Sequence, residues 1–285
     1  MKPAIVIQTD FTKGTATSTM EGVINLVDPE LRTFDCNQYV TSFNTYEASS
    51  CLNYVVPFWK PGTIFISVVD PGVGTDRRAC VALLKNGSYV VTPDNGTLTH
   101  MVREIGVVEV RSIDESRHRL ESTRAVSIFH GRDIFAYCAA KLASGIISFD
   151  DVGPTYPVNE IVIHDIPEPH SSHGAISGAI QSTDAHFGLV DSNIPYHMLE
   201  DTGIEYGDEL EVIVRRRDEI IYTSKLTYQR SFAYVPEGEP LVMISETQHL
   251  QIAKNLRNIT SEYGIECGPE WMISFTIGQG KKVQE

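Results

Sequence analysis

Apolar and polar positions along the first 150 residues follow two alternating rhythms. Ala4–Gln8 is a short β-rich run, and Thr17–Val27 has helical spacing that puts Met20, Val23, Ile24 and Val27 on one face. Thr33–Cys36 reads as a second strand. Asn44–Phe58 reads as a helix closed off by Pro61-Gly62, and Thr63–Val69 as a buried strand. A pair of strands is expected around Cys80–Leu84 and Tyr89–Thr92, followed by a turn at Pro93-Asp94-Asn95-Gly96. A short helix over Thr97–Ile105, a strand over Val107–Val110 and a strong helix over Gly131–Leu142 complete the series. Strands that alternate with helices predict an α/β domain with a mainly parallel sheet.

The pattern changes near residue 150. Residues 151–173 are turn-rich and polar, with Asp150-Asp151-Val152-Gly153-Pro154 at one end and Ile166-Pro167-Glu168-Pro169 further on. Beyond them the apolar runs are short and β-like: Gly174–Ser182, Phe187–Asp191, Glu209–Arg215, Ile220–Leu226, Leu241–Ser245 and Trp271–Thr276. The expected organisation is an α/β domain over residues 1–150, a linker over 151–173, and a smaller all-β domain, barrel-like or a sandwich, over 174–285.

Composition narrows the function classes. The chain has 285 residues and a formal net charge of -14, which disfavours a nucleic-acid backbone as partner. No apolar run reaches the roughly 18 residues of a membrane-spanning helix, and the N-terminus reads as a first strand, not a signal peptide. The five cysteines show no CxxC or metal spacing, and most sit in apolar segments, which fits a reducing cytoplasm. His164, His170 and His173 cluster in the linker without a fixed frame, so no metal site is assigned. The triplet Arg215-Arg216-Arg217, followed by Asp218-Glu219, reads as a solvated hairpin turn.

Candidate chemistry gathers at strand ends of the first domain. The run Val68-Val69-Asp70-Pro71-Gly72-Val73-Gly74-Thr75-Asp76-Arg77 delivers a carboxylate to the end of a buried strand, then a tight Pro-Gly-x-Gly turn, then an arginine. It reads either as a turn with a surface salt bridge or as part of a site. Asp10 ends the first strand as a turn residue, a cap or a ligand. His130 precedes a helix N-terminus, whose positive field disfavours its protonation; it reads as a packing residue or a site residue.

Taken together, Thr9-Asp10-Phe11, the VDPGVGT block through Arg77, Pro93-Asp94-Asn95-Gly96 and Phe129-His130-Gly131-Arg132-Asp133 resemble the S-adenosylmethionine hydroxide adenosyltransferases. These are adenosine-forming S-adenosylmethionine hydrolases that share a fold with the S-adenosylmethionine-dependent fluorinases and chlorinases. The resemblance implies an α/β domain, a C-terminal β-barrel, and a homotrimer with sites at subunit interfaces. It implies attack of water or hydroxide on the 5′ carbon, with no cofactor besides S-adenosylmethionine as substrate. Asp70, Arg77 and His130 match the family's water-activating set, with the formal base open between Asp70 and His130. Asp10 matches a ribose-binding position, Phe43 an aromatic wall and Phe232 an adenine-stacking residue; Asn95, Gly131, Asp184, Phe187 and Ser245 match further substrate-binding positions.

The departures concentrate elsewhere. Thr12 and Thr15 replace a Gly and an acid after Asp10, Leu189 replaces an Asn, and the loop Ser245-Glu246-Thr247-Gln248-His249-Leu250 is one residue longer than usual. These changes put substrate identity in question more than reaction type. Hydrolysis of another 5′-activated nucleoside and non-catalytic nucleoside binding are the alternatives.

Overall fold

The computed structural model describes residues 2–172, 174–184 and 186–277. The chain forms two compact units, residues 1–164 and 165–285.

The first unit is built on a seven-stranded sheet: β1 (Ala4–Thr9), β2 (Arg32–Asn37), β3 (Ile64–Val68), β4 (Ala79–Leu84), β5 (Tyr89–Pro93), β6 (Val107–Ser112) and β7 (Thr155–Tyr156), in the order β2-β1-β3-β5-β4-β6-β7. β2, β1, β3 and β5 run parallel, whereas β4 is antiparallel to both β5 and β6. The helices are α1 (Thr15–Val27), α2 (Thr45–Val55), α3 (Glu115–His118) and α4 (Tyr137–Ser144).

Alternation along the central strands explains the layers. Ile5 and Ile7 pack with Ile64, Ile66 and Val68 against Met20 and Ile24 of α1 and Phe135 before α4. Val6 and Phe65 face the other way, onto Leu52 and Val56 at the end of α2. Each fully buried large apolar side chain contributes about 1.5–3 kcal/mol, so a strand apolar on both faces is stable only between two helical layers.

Several boundaries differ from the periodicity reading. The helix expected to Phe58 ends at Val55 and tightens into a 3-10 turn over Val56–Phe58, where Pro57 cannot donate to the α-helical ladder. Met101–Ile105 and Gly131–Ala136 are wide π turns, the second leading directly into α4. Such turns mark places where side-chain placement outweighs regular hydrogen bonding. The segment expected as a linker carries ordered structure: β7 pairs with β6, and His164 meets the Thr45 hydroxyl at 2.8 Å and the edge of Tyr46. His170 lies in an exposed strand, and His173 is outside the described residues.

The second unit is a β-barrel. Its strands are β8 (His170–Ser172), β9 (Ala175–Asp184), β10 (Leu189–Pro195), β11 (Glu209–Arg216), β12 (Glu219–Tyr228), β13 (Pro240–Ile244), β14 (His249–Lys254) and β15 (Gly268–Ile277), with short helices α5 (His197–Glu200) and α6 (Ile259–Tyr263). The order β10-β14-β13-β12-β11-β15-β9 is closed by pairing of β9 with β10, giving a seven-strand ring with β8 beside β9. Closure pairs strand edges that would otherwise be open. The basic triplet lies at the β11–β12 hairpin.

Candidate functional site

Two polar faces, one in each unit, hold the residues singled out by sequence. The first lies at the carboxyl ends of β1, β3 and β5. Because β5 sits between β3 and β4, the loop from Asp70 to Arg78 spans that strand and returns as antiparallel β4. This crossing brings Arg77 back beside Asp70. Arg77 Nε donates to Asp70 Oδ1 at 2.9 Å, and its Nη2 donates to Asp70 Oδ2. The two side chains are only 10% and 5% exposed, so this is a sealed ion pair and not a surface salt bridge. The guanidinium also lies 5.3 Å from the centre of the Phe135 ring.

Arg77 Nη2 lies 3.0 Å from His130 Nδ1. A guanidinium has no acceptor, so Nδ1 must be the acceptor and the neutral imidazole carries its proton on Nε2. Burial first, and the Arg77 charge second, hold the His130 pKa below its ordinary value; Glu115 and Asp70 oppose the shift. His130 is therefore a neutral Nε2–H donor near pH 7.

Two glycines permit the approach of these segments. Gly74 has φ +78°, and a Cβ there would stand 2.8 Å from the Ser127 carbonyl oxygen. The loop thereby locks against the chain leading to His130. A Cβ on Gly131 would press at 3.3 Å on both Phe129 and Val68.

Around this set, Asp10 Oδ2 accepts from the Phe43 backbone N–H at 2.9 Å. That bond holds Phe43 at φ +70° with its ring 71% exposed, a conformation that costs a bulky residue about 1–3 kcal/mol. Asn95 Nδ2 donates to the Val69 carbonyl at 2.9 Å, fixing the backbone just before Asp70. Asp94 has a structural role, accepting from Arg78, Tyr156 and the Val162 N–H. Sequence reasoning missed the buried polar ties beneath the site: Gln8 to Ser67 and Ala48, and Thr9 to Gln38. A polar residue in an apolar strand was their only signal.

The second face belongs to the barrel. Asp184 ends β9, and its Oδ1 accepts from the N–H groups of His186 and Phe187 at 2.7 Å each. This turn leaves Phe187 64% exposed. Phe232 packs with Leu189 and Val235 on Leu241, Met243 and Ala253. Ser245 is buried and shares a 2.8 Å hydrogen bond with Thr247. Two residues that the sequence reading passed over lie here as well. Asp191 Oδ2 accepts from the Ser182 hydroxyl at 3.3 Å, and Gln251 lies directly opposite Asp191 across β10 and β14.

Comparison with known proteins agrees with this architecture. The description "SAM hydroxide adenosyltransferase N-terminal domain" matches residues 5–153, and its C-terminal counterpart matches residues 178–272. The chain belongs to the SAM hydroxide adenosyltransferase family. It is similar to an (R)-S-adenosyl-L-methionine hydrolase of Methanocaldococcus jannaschii, with 25% identity over 92% of each chain. It is also similar to a fluorinase of an Actinoplanes species, with 25% identity over 93% of this chain and 95% of the relative. The structure of an uncharacterized conserved protein from Thermotoga maritima superposes with a TM-score of 0.83 and 31% identity, covering 95% of this chain and 99% of the other.

Proposed function

We propose that the protein hydrolyses S-adenosylmethionine to adenosine and methionine by in-line attack of water on the 5′ carbon. The observation that carries this reading is the sealed Asp70–Arg77–His130 set. The sulfonium is already a good leaving group, so the difficult component is the nucleophile. As water attacks, the new C–O bond forms, the C5′–S bond breaks, and its electron pair goes to sulfur to give a neutral thioether. The water's proton needs an acceptor. His130 Nδ1 is occupied by Arg77 and its Nε2 carries hydrogen, so Asp70 takes the proton while His130 donates a hydrogen bond that orients the water. Arg77 supports the developing hydroxide charge. Asp10, Phe43, Asn95 and Gly131 are assigned to binding the nucleoside, and Asp184, Phe187, Phe232 and Ser245 to further contacts with substrate.

Halide displacement is the competing chemistry among the relatives. Asp70 argues against it, because a carboxylate beside the attacking position repels an anion and accepts a proton that a halide does not carry. The protein is further proposed to act as a homotrimer without an added cofactor.

Incubation of the pure protein with S-adenosylmethionine, followed by chromatography, should yield adenosine and methionine in equal amounts. His130→Ala should reduce the rate by about 10²–10⁴-fold. No adenosine above that control would sink the reading.

A further inference from the structure

The barrel face is half apolar and half polar, and the polar half has an unusual inventory. Ser182, Asp191, Gln251 and Met243 are successive cross-strand partners over β9, β10, β14 and β13, so their side chains form one row on one face. The apolar cluster of Leu241, Met243 and Ala253 under Phe232 continues that row. Asp191 Oδ1 is sealed from solvent and meets no hydrogen-bond partner among the described residues. Gln251 is 1% exposed, and its Nε2 is likewise unpartnered. Two adjacent buried polar groups left unpaired weaken a fold, and they call for a ligand.

The charges identify its kind. The groups that act on Asp191 are the carboxylates of Glu246 and Asp184 and the hydroxyls of Ser182 and Ser245. Burial first, then Glu246, pushes Asp191 up to about 7. An arriving cation relieves that strain; an arriving anion adds to it. An ammonium brings three donors. Asp191 Oδ1 offers one acceptor, and the Gln251 amide, which can present either end, offers another.

We propose that this row binds the protonated amine at the end of the substrate's sulfonium arm, and that it selects an alkylammonium arm lacking a carboxylate over an amino-acid arm. The inference rests on the hydrolytic attack proposed above and names a decarboxylated thioether amine, in place of methionine, as the preferred leaving group. An amino-acid arm would bring a carboxylate into a field already set by Asp184, Asp191 and Glu246, and like charges in contact oppose binding. Asp191 is then a specificity-determining residue. It sits outside the motifs that carried the resemblance.

The test compares S-adenosylmethionine with its decarboxylated, aminopropyl analogue on the intact protein. Turnover is measured by chromatography and binding by isothermal titration calorimetry. The aminopropyl sulfonium should show at least about a tenfold higher kcat/KM, expressed in KM, with a matching difference in affinity. Asp191→Asn keeps shape and removes charge, and should shrink that preference to about threefold or less. Equal or better use of S-adenosylmethionine, or a preference that survives Asp191→Asn, overturns the inference while the hydrolysis reading stands. If neither sulfonium is hydrolysed but calorimetry shows the charge-dependent preference, the hydrolysis reading falls and the amine site stands. No binding preference sinks the amine site whatever the turnover.

Discussion

The two polar faces treat charge in opposite ways. At the sheet end, Asp70, Arg77 and His130 hold one another: an anion bound at two points by a cation, with the same cation fixing a neutral imidazole, while Arg77 Nη1 has no partner among the described residues. On the barrel, Asp191 is surrounded by Asp184, Glu246 and hydroxyls, and one of its oxygens has no partner among the described residues. The first face has its opposite charges paired before anything binds, as suits groups that must orient one water in a fixed direction. The second is left unbalanced, as suits a surface whose missing partner is the substrate.

Breaking the charge-paired face should have the largest effect. Asp70→Asn removes the proton acceptor and leaves Arg77 buried without a counter-charge. It should lower kcat by about 10²–10⁴-fold and stability by about 3–5 kcal/mol, measured by steady-state kinetics and denaturant unfolding. KM should change little, because the residues proposed to hold the substrate are elsewhere. A KM rise that matches the kcat loss would place Asp70 in ground-state binding.

The pH profile sharpens the contrast. Burial and Arg77 hold the His130 pKa below the ordinary imidazole value. The acid limb of kcat/KM should therefore lie below pH 6.5, and an NMR titration of His130 should follow it. Stability has the matching sign. The unfolded chain takes up that proton first, so the contribution of a neutral buried His130 is lost as pH falls from about 6.5 through the lower folded value.

The unbalanced face should give the smallest and most distinctive effect. Its folded Asp191 titrates near 7, above the roughly 3.9 of an unfolded aspartate. Between those values the folded state holds the extra proton, so stability falls as pH rises, and the full cost applies above pH 7. Asp191→Asn should thus raise Tm at pH 8 by on the order of 2–5 °C and by nothing near pH 4. A loss of Tm at pH 8 would mark Asp191 as structural.

The two faces also differed in how far the sequence revealed them. The Asp70–Arg77 loop announces itself locally: a buried strand, an acid at its end, a Pro-Gly-x-Gly turn and an arginine. His130 came into view beside them because a helix start follows it directly. Asp191 gives no such signal. It looks like one polar position in an alternating strand, and only its cross-strand neighbour Gln251, 60 residues on, exposes the unpaired row. β14 was missed for a related reason: Leu250 through Ala253 are buried on both faces, so no alternation marks the strand. The α/β and all-β classes were legible from rhythm alone, whereas the choice of barrel over sandwich came from the resemblance. Ring closure through β9 and β10 depends on long-range pairing that rhythm does not encode.

The grip of Arg77 on His130 also has a consequence for the surroundings of the molecule. Splitting a sulfonium with water makes two uncharged-centre products and one proton, so each catalytic cycle is an acid-producing event. With the imidazole nitrogen that faces Arg77 already filled, the histidine cannot serve as a reservoir for that proton. Asp70 must discharge it to solvent before the next round, and an unbuffered solution of the working enzyme should acidify one equivalent per molecule split.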